Sequence, residues 1–412
     1  MRKIKLLTTS TRSSDTQPDE GGKLMFAKRI LLAFIIIGAM ATVAGAQSET
    51  ETNTAASAEA THLPPIRVDC DAGQKIGHAL QLARPGRTIR VTGTCKERVT
   101  ITTDRLTLDG RGRAILDGAG GTGTDFDGVV IINSASGVTI TGFTIQNGAS
   151  GIVGQRGAAF AVRNTIVQDN AITGIVVADS STADLTDCTM QRNRAGLDVF
   201  TGSSAILRRT INITENVVDG VEVNGNSVLE IRGATVKINN NHEFGLIAGP
   251  GSQVALFGFD ESKGSTLTAN GNGVAGIGLG GSNLTVFASN TTISAENNPI
   301  GIFLPADGSI TSPFGRGTFL IKNNGIGLNF GEGSGAIIVG GLTVQNNGTG
   351  VLADAAGALT LVSIPSNPSS ITGNTDVDVN LSFGTRSTIN AVAVGTIICD
   401  RTVLSRGTTV CP

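Results

Sequence analysis

Tryptophan and tyrosine are both absent from the 412 residues, and the 15 phenylalanines lack the polar handle that lets an exposed ring sit at a wet surface. This argues against a sugar cleft built on stacked aromatic rings. Charge is sparse as well, at 16% of residues. Residues 1–46 carry seven of the 31 basic and three of the 33 acidic side chains, so residues 47–412 hold 24 against 30, a net charge of −6. That balance excludes nucleic acid and strongly anionic glycans as expected partners. The three histidines, His62, His78 and His242, are far apart in the chain.

Glycine, by contrast, is abundant, with 56 residues, and nine of them recur in one short phrase: Asn, a few turn residues, then Gly, apolar, any, apolar. They are Gly151, Gly174, Gly196, Gly220, Gly245, Gly276, Gly301, Gly327 and Gly350, separated by 23, 22, 24, 25, 31, 25, 26 and 23 residues. A period in this range signals a solenoid. The residue after each Gly is aliphatic throughout, from Ile152 to Val351, and the residue two further on is mostly apolar, while the one between varies. This is period-2 alternation, the mark of a strand with one buried face. Asn147, Asn170, Asn193, Asn216, Asn241, Asn272, Asn298, Asn324 and Asn347 precede the glycines by three or four positions. Asn tolerates a left-handed backbone and can bond to its counterpart one coil on, which predicts a stacked asparagine turn. Repeats this short have no room for a crossover helix. The chain is therefore expected to be all-β, a parallel β-helix of about 11–13 coils, some 50 to 60 Å long at about 4.8 Å per coil.

Residues 1–24 are polar and precede the segment where an export signal would begin, so we read them as extraneous and place the start at Met25. Residues 25–46 form a signal peptide: Lys28 and Arg29, then ILLAFIIIGAMATVAGA, ending in small residues before Gln47. An uncleaved membrane anchor is the alternative, because the apolar run nearly spans a bilayer. Residues 47–64 are a Ser/Thr/Ala/Glu linker, and residues 65–412 are the β-helix domain. The expected location is secreted or periplasmic. At the start of that domain, about Gly73 to Ala83 reads as an amphipathic helix with Ile76, Ala79, Leu80 and Ala83 on one face, capping the first coil.

The run QKIGHALQLARPGRTIRVTGTCKERVTI, Gln74 to Ile101, followed by LTLDGRGRAILDG, Leu106 to Gly118, resembles the opening segment of the pectin-lyase-like right-handed parallel β-helix superfamily, as do the later coils. The resemblance covers about Ile66 to the C-terminus and implies the fold. It does not imply one activity, because lyases, hydrolases, epimerases and adhesins share that architecture. Motifs that polygalacturonan hydrolases of this fold carry (NTD, DD, GHG and RIK) are not present as a set, nor is the DPHD motif of alginate epimerases, nor a lyase arrangement of a basic residue beside a calcium-binding acid cluster.

Five cysteines on the exported side favour bridges. Cys70 and Cys95 flank the capping helix, Cys399 and Cys411 bracket the last segment, and Cys188 falls in an inward column as a buried thiol. Candidate chemistry rests on carboxylates. Asp198 and Glu222 occupy the outward position of successive coils, with Asp219 just before Gly220. Their spacing of about 5 Å suits a retaining carboxylate pair or a shared calcium ion. The plainer expectation is that Arg192, Arg194 or a neighbouring arginine neutralises them on a solvated face. The loop GGTGTDFDG, Gly120 to Gly128, resembles a single calcium-binding nonapeptide, with Asp125 as the candidate ligand, but it does not recur as such sites require. His242 and Glu243 lie together in a turn as a further acid/base candidate. No cofactor is expected beyond that calcium option. The expected function is a non-catalytic protein contacting polysaccharide or cell-surface components. The alternative is a polysaccharide lyase or glycoside hydrolase acting through Asp198, Asp219 and Glu222.

Overall fold

The computed structural model describes residues 64–412 except 259–263, 316, 355–356, 409–410 and 412. The expectations for the N-terminal extension, the export signal and the linker lie outside the described residues. Residues 62–412 form one compact unit, an all-parallel right-handed β-solenoid. Its short strands stack into a 13-stranded sheet running from Val99–Ile101 through Ala195–Val199 and Val221–Val223 to Ile397–Cys399. That is one strand per coil, at the upper end of the expected number. A 23-stranded sheet forms the rest of the wall. Several of its strands are long, such as Ser204–Thr214, and bend at a left-handed residue where the register slips: Asp187 (φ 53°) and Arg209 (φ 59°) stand at such corners.

The column after each glycine points inward as the alternation requires. Ile152, Ile175, Leu197, Val221, Leu246, Ile277, Ile302, Leu328 and Val351 are all fully buried. Glycine precedes them for space rather than for dihedral freedom. A Cβ on Gly196 would lie 2.5 Å from the Gly220 carbonyl oxygen and 2.4 Å from Ile213 Cγ2.

The asparagine turn is present with one correction. From Asn170 to Asn347 each Asn donates Nδ2 to the Oδ1 of the next, and the same Oδ1 also accepts the preceding Asn's backbone N–H. The row continues through Asn374 and stops at Asp378, whose Oδ1 accepts both N–H groups of Asn374. Asn147 is not in it. Gly148 holds that place, donating its N–H to Asn170 Oδ1, and Asn147 is the left-handed residue just before (φ 57°). The same step back gives Asp169, Arg192, Glu215, Asn240, Asn297, Asn323 and Asn346 their positive φ. The left-handed turn and the bonding amide are thus two adjacent positions. A second row, Ser181, Ser203, Ser227 and Ser252, each hydroxyl accepting an N–H from the coil before, lines another turn.

Asn241→Ala removes the acceptor of both Asn216 donors and the donor to Ile213 O and Asn272 Oδ1. With buried groups left unpaired at about 1–3 kcal/mol each, a loss near 3 kcal/mol is expected. It should appear as a lower urea midpoint at unchanged m-value; a shift below about 1 kcal/mol would mean that water replaces the missing amide.

The capping helix spans Ile76–Leu82, shorter than expected because Gly73 turns left-handed (φ 80°) and leaves Gly73–Lys75 outside it. Ile76 and Ala79 are buried, and Leu80 and Ala83 pack against the core from the edge. No side chain at the N-cap caps the helix. Glu97, from the first coil, accepts the N–H groups of Ile76 (2.8 Å) and Gly77 (3.1 Å) instead. Cys70–Cys95 and Cys399–Cys411 are bridged, with Cα atoms 5.1 and 5.7 Å apart. Closing loops of this size is worth about 3 kcal/mol each. Cys188 is buried and unbridged, and burial pushes its thiol up to about 12, so it behaves as a core residue.

Candidate active site

Pairing of Ala195–Val199 with Val221–Val223 sets Leu197, Asp198 and Val199 beside Val221, Glu222 and Val223. The alternation that buries the flanking residues sends Asp198 and Glu222 to the outer face of the 13-stranded sheet, one coil apart. Outward does not mean solvated here: Asp198 is only 9% exposed. On one flank its register partner is Val176, which with Val153 and Ala178 forms a closed apolar patch joined by Ile131 and Phe200. The loop carrying Phe126 adds to this cover. Phe126 meets Phe200 edge-on at 5.9 Å, and Asp127 closes the loop by accepting from the N–H (2.7 Å) and hydroxyl (3.0 Å) of Thr124. Asp125 is thereby brought to the same place. Together Asp125, Asp198, Val199, Phe200, Glu222 and Asn224 line a cavity of about 300 Å³.

The carboxylates differ in their surroundings. Asp198 Oδ2 accepts from the Thr173 hydroxyl at 2.7 Å, while Oδ1 is buried with no hydrogen-bond partner. Burial pushes the Asp198 carboxyl up to about 7; Glu222, Asp125 and Asp219 add to the rise, and the Thr173 bond opposes it. Asp219 is raised to about 6, chiefly by burial, against the N–H of Phe244 at 2.9 Å. Glu222 accepts from Asn224 Nδ2 at 2.5 Å. Thr173 and Asn224 are supporting residues that the repeat pattern did not single out.

The expected arginine partners are not there. Arg192 turns to Asp169, at 2.9 Å, and no ion pair among the described residues includes Asp125, Asp198, Asp219 or Glu222. Arg192 is a left-handed residue of the asparagine turn, which carries its side chain away from the strand face. Arg194 is exposed and reaches Asp219 only through its charge. Glu243 also bears on Asp219 by charge, whereas His242 is exposed and does not line the cavity. Among the described residues the one set of three metal-type ligands with donor atoms within 4.8 Å is Cys70, Cys95 and Glu97, and its two sulfurs are bridged.

Beyond Glu222 the same outward column continues with Ile247, Gly278 and Phe303 on successive coils. A second cavity of about 440 Å³ lies there, lined by Phe244, Ile247, Pro250, Phe303 and Pro305 among others, and it shares Asn224 with the first. Gly278 keeps its floor open, since a Cβ there would stand 3.0 Å from Phe244 Cδ1.

Residues 106–258 match the family described as the right handed beta helix region. The chain is a right-handed parallel β-helix. Similar solved structures include the A-module of an Azotobacter vinelandii mannuronan C-5 epimerase, 13% identical with a TM-score of 0.46, over 80% of this chain and 93% of that one. An α-1,3-glucanase catalytic unit from Streptomyces thermodiastaticus is 14% identical at a TM-score of 0.42, over 84% and 68%. An alginate lyase from a Paenibacillus species is 11% identical at 0.35, over 58% and 97%. No curated protein matches the chain. At these identities the likeness is one of fold, and the site of this β-helix has to be read from its own residues. No helix among the described residues is long and apolar enough to cross a membrane.

Proposed function

We propose that this β-helix is a carbohydrate-active enzyme that hydrolyses a glycosidic bond, with Asp198 as the acid and Glu222 as its carboxylate partner. The observation that carries the reading is the position of Asp198: a nearly closed-off carboxyl, protonated up to about pH 7, in register with a second carboxylate one coil on and without a counter-cation. Neighbouring acids whose surroundings differ in this way divide the roles of acid and base. Asp198 would protonate the leaving oxygen as the bond to the anomeric carbon breaks. At a separation of about 5 Å Glu222 would attack that carbon directly, and water would then release the sugar and return the proton. A lyase is less well supported, because a basic side chain does not line the cavity. The bridged cysteines fit a protein exported to the cell exterior or periplasm.

A non-catalytic glycan-contacting protein is the second reading, favoured by how little of Asp198 reaches solvent. A polysaccharide panel separates the two. New reducing ends, lost by at least about a hundredfold in Asp198→Asn and in Glu222→Gln, are expected for the hydrolase. Binding without new ends, equal in the parent and both variants, would establish the second reading instead.

A further inference from the structure

The site holds more carboxylates than hydrolysis of a neutral sugar needs. Two carboxylates suffice for that chemistry, yet the loop that carries Phe126 delivers a third, Asp125, to the same cavity. No ion pair among the described residues involves any of the three. Asp198 Oδ1 is moreover buried and unpartnered. A buried acceptor left without a donor is costly, so a ligand that brings a hydrogen-bond donor into this cavity is favoured, and a cationic donor is favoured further by the charges of Asp125 and Glu222. Anionic sugars are repelled from the same place.

One coil further the surface changes character. Ile247 and Phe303 stand either side of Gly278 and, with Pro250 and Pro305, line an apolar hollow of about 440 Å³ that meets the acidic one at Asn224. A plain sugar hydroxyl gains nothing there, whereas a small acyl group would be desolvated favourably. The two hollows follow one another along the coil axis. A polymer lying along that face would meet them in sequence, cation first and acyl group next.

We infer that the outer face of the 13-stranded sheet takes a partly N-acylated amino-sugar polymer, its free ammonium group held among Asp125, Asp198 and Glu222 and its acyl group seated over Gly278. This rests on the glycan reading above and names its substrate class.

The test is calorimetric titration of the parent protein with four oligosaccharides of equal length: glucosamine with free amines, the same partly N-acetylated, the same fully N-acetylated, and a neutral glucan. The partly acetylated oligomer is expected to bind at least about tenfold more tightly than the glucan, with affinity falling as salt rises. Asp125→Asn, checked for an unchanged melting temperature, is expected to weaken both amine-bearing oligomers about tenfold. Gly278→Val, which fills the apolar hollow, is expected to weaken only the acetylated ones. Equal binding of glucan and amine-bearing oligomers, without salt dependence, overturns the inference. Chain cleavage assayed on the same samples keeps the two readings apart. Preferential cleavage of the neutral glucan sinks the amino-sugar assignment and leaves the hydrolase, while tight binding of the partly acetylated oligomer with no cleavage supports the assignment and sinks the hydrolase.

Discussion

Leu197→Asp is expected to abolish folding of the β-helix, while Asp198→Leu, one residue along the same strand, should leave it folded and slightly more stable. Leu197 is fully buried among the inward column. A carboxyl there has no partner on any neighbouring coil, and its burial costs at least about 5 kcal/mol, comparable with the whole stability of many domains. The column is continuous, so the damage is not confined to one coil. The neighbouring substitution removes a carboxylate whose Oδ1 is unpartnered and extends the apolar patch of Val176, Ala178 and Phe200. Melting curves of the two variants decide it; similar losses in both would show that inward and outward columns are misassigned.

The next largest effect is on the pH dependence of stability. The Asp198 carboxyl titrates near 7 in the folded chain against the ordinary 3.8, so between about pH 4 and 7 the folded state holds a proton that the unfolded state has lost. Stability from this group therefore falls as pH rises through that window and levels off above it. Three pH units correspond to about 4 kcal/mol at most, and Asp219 acts in the same direction over a narrower range. Asp117 and Asp378 work oppositely: although burial raises them, hydrogen bonds outweigh it and hold both below the usual value, so their contribution is lost as pH falls through their folded titration. A stability maximum at about pH 4, where the two opposing windows meet, follows. In Asp198→Asn the decline toward about pH 8 should shrink, leaving the variant about 2 kcal/mol more stable than the parent there, once the cost of a buried amide hydrogen is set against the relief. Equal slopes in parent and variant would show that Asp198 is ionised throughout.

Much of the architecture could be read from spacing because a solenoid repeats one local rule. Gly196, Leu197 and Val199 have the same roles as their counterparts one coil on, so the columns announce themselves. Asn147 was misplaced for the same reason: with asparagine acceptable at both adjacent turn positions, the letter alone does not distinguish the left-handed residue from the bonding amide. The candidate site was half legible. Register brought Asp198 to Glu222, but the burial that raises Asp198 comes from Val176 and Phe200 and from a loop about seventy residues earlier, which no period reports. The loop motif marks Asp125 as a candidate calcium ligand, but its place beside Asp198 depends on where the loop lands. The hollow at Gly278 was invisible for a different reason. An outward glycine among varied residues carries no pattern, and its meaning lies in the Phe244 and Phe303 side chains around it.

The asparagine row has one further property. Every side-chain amide from Asn170 to Asn374 donates toward the C-terminal end, so their dipoles add head to tail and each bond polarises the next. The row is an electric rod inside the protein, positive where it ends. Asp378 stands at that positive pole, which accounts for a full negative charge rather than one more amide in a nearly closed-off position. Coils could be added or removed in the middle without disturbing this balance. The terminal carboxylate, however, would have to travel with the end of the row.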